Sequence, residues 1–200
     1  KNLQGTIFAV DIFPDFLSKV SCGQTSSSVY VETLVCSMDA LPFEPNSFDV
    51  IWAEGSLYNM GFQKAVHYLK DFLKPEGVLA ASEIIWTSEV RPAEITDFWQ
   101  TEYPEIALPS QKIQILEQQG FRLEGYFPLP SSCWIDEYYH PLSQKFEPFL
   151  SKHQSAEANE IVIEHQQEIA LYHRFQSDYT YGFFVARKLD LFTESYRQLS

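Results

Sequence analysis

Two stretches of the sequence decide the fold, Ser37-Met38-Asp39-Ala40-Leu41-Pro42-Phe43 and Ser47-Phe48-Asp49-Val50-Ile51-Trp52-Ala53-Glu54-Gly55. In each, an acidic residue follows a strand-like apolar run. The same pattern occurs upstream, where the run Gly5-Thr6-Ile7-Phe8-Ala9-Val10 ends in Asp11. An acid at the end of a strand binds ribose hydroxyls in nucleotide-binding α/β folds. Asp11 and Asp39 therefore predict one nucleoside pocket at two neighbouring strand ends.

The first half of the chain alternates strands and helices. Pro14 begins a short helix, and Phe62 to Leu73 carry the apolar face of a second one, which Lys74-Pro75-Glu76-Gly77 ends. Gly23 to Ser28 is Ser-rich and predicts a loop. Continuous apolar runs predict parallel strands that are buried on both faces. The expected neighbours are residues 6–11, 31–36, 48–53 and 78–86, which together indicate an α/β fold with a Rossmann-like sheet.

The second half follows a different pattern. Helices are predicted over 94–101 and from Ser110, as N-cap, to Gly120. Alternation over 121–129 and an apolar run over 179–186 predict an antiparallel edge pair. Residues 131–153 are aromatic and interrupted by prolines, so they predict broken helices, followed by a helical face from 158 to 172. We expect one domain over 1–188, with a helical insertion at about 131–176 and a tail over 189–200.

Composition excludes several classes of function. The net charge of −13 argues against nucleic acid, whose phosphates would be repelled. No apolar run reaches 18 residues, so no membrane span is expected. The three cysteines form no CxxC pair, which favours a reduced cytoplasmic protein over a disulfide framework or zinc site. The histidines lack ligand spacing, and we predict no metal.

Several ordered motifs carry a family resemblance. They are Asp11-Ile12-Phe13-Pro14-Asp15-Phe16, Ser37-Met38-Asp39, Glu54-Gly55-Ser56-Leu57-Tyr58-Asn59, Ser82-Glu83 and Arg91-Pro92-Ala93-Glu94-Ile95. In this order they resemble class I S-adenosylmethionine (SAM)-dependent methyltransferases, in particular bacterial small-molecule enzymes of the ubiquinone/menaquinone-biosynthesis-like group. The resemblance implies a seven-stranded sheet with one antiparallel strand, SAM as cofactor above the strand ends, and a small-molecule acceptor.

The sequence departs from that family at its start. The glycine-rich turn of such folds lies about 20 residues before the ribose-binding acid, and here the acid is the eleventh residue. We interpret the chain as lacking the first strand and its Gly-x-Gly loop. A non-catalytic module that has lost SAM binding is therefore the alternative. A Rossmann dehydrogenase is a weaker third hypothesis, because it leaves the Leu-Pro-Phe and Glu-Gly segments unexplained.

The resemblance assigns the cofactor residues. Asp11 would bind the ribose hydroxyls, Ile12 and Phe13 would sandwich the adenine, and Asp39 would accept from its amine while the Met38 backbone covers the ring. Glu54 and Gly55 would face the methionine part. A helix-capping role for Asp11, core packing for Ile12 and Phe13, and a turn for Asp39 are the structural alternatives.

The acceptor residues are less determined. Glu54, Tyr58 and Glu83 are the candidates for a general base, and none is preferred. The candidates for an acceptor chamber are Tyr58, Trp86, Arg91, Trp134 and Tyr138, since aromatic rings with polar edges suit an aromatic or prenylated molecule. Packing alone would explain each of them equally well. We expect residues 131–153 to form a lid, with a homodimer contact as the alternative.

Overall fold

The computed structural model describes residues 4–20, 23–26 and 28–190. The chain divides into two compact units, Lys1–Glu44 and Pro45–Ser200. Of the predicted tail, residues 191–200 lie outside the described residues.

The first unit contains a three-stranded sheet. Its elements are β1 (Gly5–Asp11), helix α1 (Pro14–Leu17), β2 (Gly23–Ser26) and β3 (Val29–Val35). The strand order is β1-β3-β2, with β1 parallel to β3 from Gly5 opposite Val29 to Asp11 opposite Val35. The prediction of a loop over Gly23 to Ser28 is wrong for β2, which pairs antiparallel with β3. Backbone pairing needs no apolar side chains, so a Ser-rich strand gives no hydrophobic signal.

Strand β1 is less buried than its sequence predicts. Ile7 and Phe8 are both exposed, although the continuous apolar run predicted burial on both faces. The reason lies in the topology, since β1 is an edge strand of a small sheet. The phenyl ring of Phe8 contacts that of Phe43 edge-on, with ring centroids 5.2 Å apart.

The second unit contains the remaining four strands, which form one sheet, and the remaining helices. It has a 3₁₀ turn over Leu57–Asn59 and a π-helical turn over Ile135–Tyr139. In chain order the elements are β4 (Phe48–Ala53), α2 (Phe62–Phe72), β5 (Leu73–Trp86), α3 (Ala93–Glu102), α4 (Pro109–Gln118), β6 (Phe121–Pro128), α5 (Ser131–Trp134), α6 (His140–Ser143), α7 (Phe146–Lys152), α8 (Ala156–Phe175) and β7 (Tyr179–Lys188).

The four strands of this unit have the order β4-β5-β7-β6. Strands β4 and β5 are parallel, and β7 runs antiparallel to both β5 and β6, which confirms the expected antiparallel edge pair. Helix α2 ends at Phe72, just before the predicted stop, but Lys74 to Gly77 belong to β5, so this strand begins earlier than the predicted residue 78. Their turn-forming character appears instead as a register shift between the Phe48–Leu73 and Val50–Val78 pairs, where Glu76 has a φ of 63°.

The start of one helix also differs from prediction. Helix α4 begins at Pro109 with Leu108 at its N-cap, so Ser110 is not the cap. Proline at the first helical position already fixes the φ that a helix start requires. On α8, His165 is half-buried beside Glu168, with its Nδ1 3.5 Å from the Glu168 Oε2.

The aromatic residues of the second half form a core. Trp134 stacks on Tyr172 at 4.8 Å and on Tyr181 at 5.2 Å between ring centroids, and its indole N–H donates to the Thr180 hydroxyl. Tyr139 and Tyr179 belong to the same cluster. The predicted broken helices over 131–153 are confirmed, and their inward aromatic residues are part of this core.

Candidate cofactor and acceptor sites

In the first unit, Asp11 is the last residue of β1 and lies in pairing register with the end of β3. Its Oδ1 accepts the Phe13 backbone N–H at 2.8 Å, which is the local capping role that the sequence left open. Among the described residues, the Oδ2 atom has no hydrogen-bond partner. The carboxylate is half-buried.

Two apolar residues extend from this strand end into solvent. Ile12 and Phe13 are 57% and 61% exposed, so the core-packing alternative does not describe them. The Phe13 ring contacts Phe16 edge-on at 6.0 Å, which leaves a face of the ring open. An exposed aromatic face beside a carboxylate is suited to stacking on a planar base.

Asp39 follows the neighbouring strand β3 in a turn. The Ala40 N–H donates to the Ser37 carbonyl, and the Ser37 hydroxyl donates to the Asp39 Oδ1. At the strand ends themselves, the Cys36 N–H donates to the Asp11 carbonyl at 3.2 Å. The two acidic residues therefore belong to adjacent parallel strand ends, as predicted, and Met38 lies half-buried in the turn.

In the second unit, the end of β4 presents Glu54 and Gly55. The Trp52 indole N–H donates to the Glu54 Oε1 at 2.8 Å, beside an open apolar groove of about 510 Å³ that Phe127 and Phe183 also line. The Gly55 N–H donates to the Ser82 hydroxyl at 2.9 Å. Gly55 has a φ of 51°, the left-handed conformation that a side chain disfavours.

The side chain of Tyr181 lies near Gly55. A Cβ atom on Gly55 would be 3.6 Å from the Tyr181 hydroxyl oxygen. Burial chiefly raises the pKa of Tyr181, and the charges of Tyr58 and Glu83 add to that rise. Tyr58 and Tyr138 are about half exposed. Tyr181 is a residue that the sequence did not single out, and its hydroxyl lies beside the end of β4.

Glu83 lies in a closed network instead. It is 1% exposed, and so is Lys112, whose Nζ lies 3.3 Å from the Glu83 Oε1. The Tyr103 hydroxyl donates to the same oxygen, and the Lys112 ammonium lies 4.7 Å from the centroid of the Phe62 ring. Burial raises the pKa of Glu83 while the Lys112 charge opposes the rise, and burial lowers the pKa of Lys112. A substrate proton cannot reach this carboxylate without opening the core.

Trp86 and Arg91 border a cavity of about 350 Å³ near the end of β5. The Arg91 guanidinium carbon lies 4.3 Å from the Trp86 ring centroid. Trp134 is placed differently, since it is buried in the aromatic core and borders neither this cavity nor the apolar groove. Among the described residues, no cluster of three His, Cys, Asp or Glu side chains could hold a metal ion. None of the helices described here has the length and hydropathy of a membrane span.

Tyr181 is the functional candidate that sequence reasoning missed. It lies in β7, within the apolar run that predicted only a strand. The one signal in the sequence is its position in the strand, because the side chain of Tyr181 points to the opposite face of the sheet from Thr180 and Gly182. Without knowledge of the strand that pairs with β7, this position does not indicate which residue of β7 faces Gly55.

Comparison with known families bears on the first part of the chain. Residues 1–81 match a family model described as a methyltransferase domain. This range includes Asp11, Asp39, Glu54 and Gly55. Among curated protein sequences, none matches the chain.

Solved structures share the fold at low sequence identity. The [4+2]-cyclase SpnF is 21% identical, with a TM-score of 0.61 over 80% of this chain and 56% of its own. A SAM-dependent methyltransferase from Geobacter sulfurreducens, in complex with S-adenosylhomocysteine, is 13% identical, with a TM-score of 0.67 over 78% of this chain and 64% of its own. Phosphoethanolamine N-methyltransferase 2 from Haemonchus contortus, in complex with SAM, is 17% identical, with a TM-score of 0.58 over 83% and 38%.

The present chain spans less than two thirds of each of these three structures. Its fold is the Rossmann-like α/β fold of SAM-dependent methyltransferases, which confirms the predicted fold class. Proteins with this fold include ones solved with SAM or its demethylated product bound.

Proposed function

We propose that the protein is a SAM-dependent methyltransferase that acts on a small molecule. The observation that carries the proposal is the pair of acids at adjacent parallel strand ends, Asp11 after β1 and Asp39 after β3, within residues that match a methyltransferase family model. In nucleotide-binding α/β folds, ligands bind beyond the carboxyl ends of the strands.

The first unit would bind the adenosine part of the cofactor. A carboxylate accepts hydrogen bonds from two ribose hydroxyls, and the Asp11 carboxylate has used one oxygen for a single backbone N–H. Asp39 would accept from the adenine amine, with the Met38 backbone along the ring. Ile12 and Phe13 offer the exposed apolar surface on which adenine stacks.

The resemblance assigns further residues that belong to the second unit. We assign Glu54 and Gly55 to the methionine part, because the Gly55 backbone lacks a Cβ and permits close approach. The acceptor would lie against Tyr58, Tyr138 and the newly identified Tyr181, with Trp86 and Arg91 further along the unit. Tyrosine combines an apolar ring with a hydroxyl that orients a polar group.

The chemistry asks little of the side chains. When bound, SAM supplies a methyl group on a positively charged sulfur. The residues assigned to the cofactor and the acceptor would hold the two molecules for transfer of that methyl group. Catalysis is then largely alignment of the two reactants. If the acceptor carries a proton, Glu54 or Tyr58 would take it, since both are accessible and Glu83 is enclosed.

A non-catalytic module is the second candidate. The fold also accommodates other activities, as the name of the cyclase SpnF states for that protein.

Parallel calorimetric titrations distinguish the candidates. Aliquots of one preparation are titrated with SAM, with S-adenosylhomocysteine and with NAD. The methyltransferase proposal predicts saturable binding of the first two and none of NAD. Binding of NAD alone would indicate a dehydrogenase, and no binding of any of the three would leave the non-catalytic module. A positive result leads to a screen for S-adenosylhomocysteine production with small-molecule acceptors.

A further inference from the structure

The cavity beside Trp86 contains an unsatisfied cationic donor. The Arg91 guanidinium is held in place on one side by the Trp86 ring, at 4.3 Å, and on another by the Ser88 carbonyl, which accepts from Nη1. Its Nε atom is buried and has no hydrogen-bond partner among the described residues. Leaving a buried charged donor without an acceptor is unfavourable. A ligand atom that accepts a hydrogen bond from Nε would remove this cost.

The neighbouring amide groups add to this donor character. The Gln111 Oε1 accepts the Leu108 N–H at 2.9 Å, which commits the oxygen and leaves the NH₂ group of Gln111 for the cavity. The carboxamide of Gln100 also borders the space. The side chains of Ile106 and Leu108 form an apolar part of the wall. The cavity thus combines a planar cation, an amide donor and an apolar surface.

Glu89 limits what kind of anion fits. Its exposed carboxylate borders the same cavity and, in the part of the chain that the structure describes, forms no ion pair with Arg91 or another cation. A second negative charge on the ligand would meet Glu89 and the overall charge of −13. A carboxylate matches the guanidinium fork with one charge, whereas a phosphate would bring nearly two.

We propose that this cavity binds a small organic monocarboxylate, with the carboxylate on Arg91 and the apolar part against Ile106 and Leu108. As a binding site, the cavity is argued from the second unit alone. As the place of the methyl acceptor, it rests on the proposed function and makes the acceptor a carboxylic acid.

The test uses sodium benzoate as the probe, followed by calorimetry in the absence of SAM. Benzamide is the matched neutral ligand with the same shape. We expect benzoate to bind at least about tenfold more tightly than benzamide, because only benzoate supplies a charged acceptor. Equal binding of the two, or no binding of benzoate, would overturn the proposal.

Two variants locate the site. Arg91→Lys keeps the charge but removes Nε and the planar fork, so we expect at least about tenfold weaker benzoate binding. Arg174→Lys is the control, since Arg174 is an exposed arginine that pairs with Glu94, and its affinity should be unchanged. Wild-type affinity in Arg91→Lys, or an equal loss in the control, would contradict the assignment. If Arg91→Lys does not fold, the benzoate–benzamide comparison in the wild-type protein still decides.

The proposal of methyl transfer and the proposal of a carboxylate site can be refuted independently of each other. Because SAM is absent from the benzoate titration, a negative result there leaves the SAM titration untouched. A protein that binds benzoate but not SAM would retain the carboxylate site and lose its role as the acceptor site.

Discussion

Asp11 and Glu83 are both acids in apolar strand segments, yet their surroundings in the structure are opposite. Asp11 ends its strand, is half-buried and forms one local hydrogen bond. Glu83 lies three residues before the end of β5, is 1% exposed and shares one oxygen between Lys112 and Tyr103. The comparison shows that a strand-end position leaves an acid open to a ligand, whereas the strand interior requires internal partners. We propose that the first type serves binding and the second serves stability.

The strongest test of this difference removes the partner of Glu83. In Lys112→Met the Glu83 carboxylate would remain buried without its counter-charge, so we expect a loss of about 3–5 kcal/mol in the free energy of unfolding. Urea denaturation followed by tryptophan fluorescence measures it. The double variant Lys112→Met/Glu83→Gln should recover most of the loss, because the introduced amide is neutral and its oxygen still accepts from Tyr103. A single variant as stable as the wild type would show that the pair is dispensable.

The same variant gives a prediction about pH. Burial raises the pKa of Glu83 above 4.5 and Lys112 opposes that rise, so removing Lys112 raises the pKa further. An acid with a raised pKa in the folded state binds its proton more tightly there than in the unfolded state. Stability therefore falls as the pH rises from about 4.5 through the folded-state pKa.

We accordingly expect the difference in unfolding free energy between wild type and Lys112→Met to be larger at pH 8 than at pH 4. Denaturation curves at both pH values measure this. A difference that does not change with pH would mean that the loss comes from packing against Phe62 and Tyr103 rather than from charge.

The ligand-facing acid should respond in the opposite way. Asp11→Ala should weaken SAM binding by about 1–3 kcal/mol, the cost of leaving ligand hydroxyls without a charged acceptor. The free energy of unfolding should change little, since Asp11 is partly exposed. Asp15→Ala is the matched control, because Asp15 is a nearby exposed acid in the first turn of α1. Calorimetry that finds the same SAM affinity in both variants would refute the ribose assignment.

A smaller effect is expected at the end of β4. Gly55→Ala places a side chain at a φ of 51°, which costs about 1–2 kcal/mol of stability, while its Cβ would make only ordinary contact with Tyr181 at 3.6 Å. Gly125→Ala is the control, since that glycine lies in β6 without a positive φ and its Cβ would be 4.0 Å from Val185. Equal stability of the two variants would show that the conformation of Gly55 carries no strain.

The features that could be predicted from the sequence are those that depend on neighbouring residues in the chain. Apolar runs and helical spacing are local, and they located β1, β4, α2 and the antiparallel pair. Strand β2 was missed because its residues pair through the backbone alone. The start of β5 was missed because turn-forming residues lie inside a register shift. Burial of β1 was overestimated because burial depends on what covers a strand, which the strand's own sequence does not state.

The candidate sites were predictable to a similar degree. The strand-end positions of Asp11 and Asp39 follow from the strands themselves, and the pairing of β1 with β3 brought those ends together as expected. The enclosure of Glu83 depends on Lys112, 29 positions away, and no local pattern indicates that contact. The position of Tyr181 beside Gly55 likewise arises from the pairing of β7 with β5. Contacts between distant segments are therefore the part that required the structure.

The most direct measurement of the central claim is hydrogen exchange of the backbone amides with and without S-adenosylhomocysteine. The account predicts that exchange slows in the segments 11–17 and 36–41, which carry Asp11 and Asp39, and is unchanged in the β5 segment around Glu83. In Asp11→Ala, the protection at the same ligand concentration should decrease. Protection around Glu83 without any at the two strand ends, or equal protection by NAD, would contradict the assignment of a SAM-binding site to these acids.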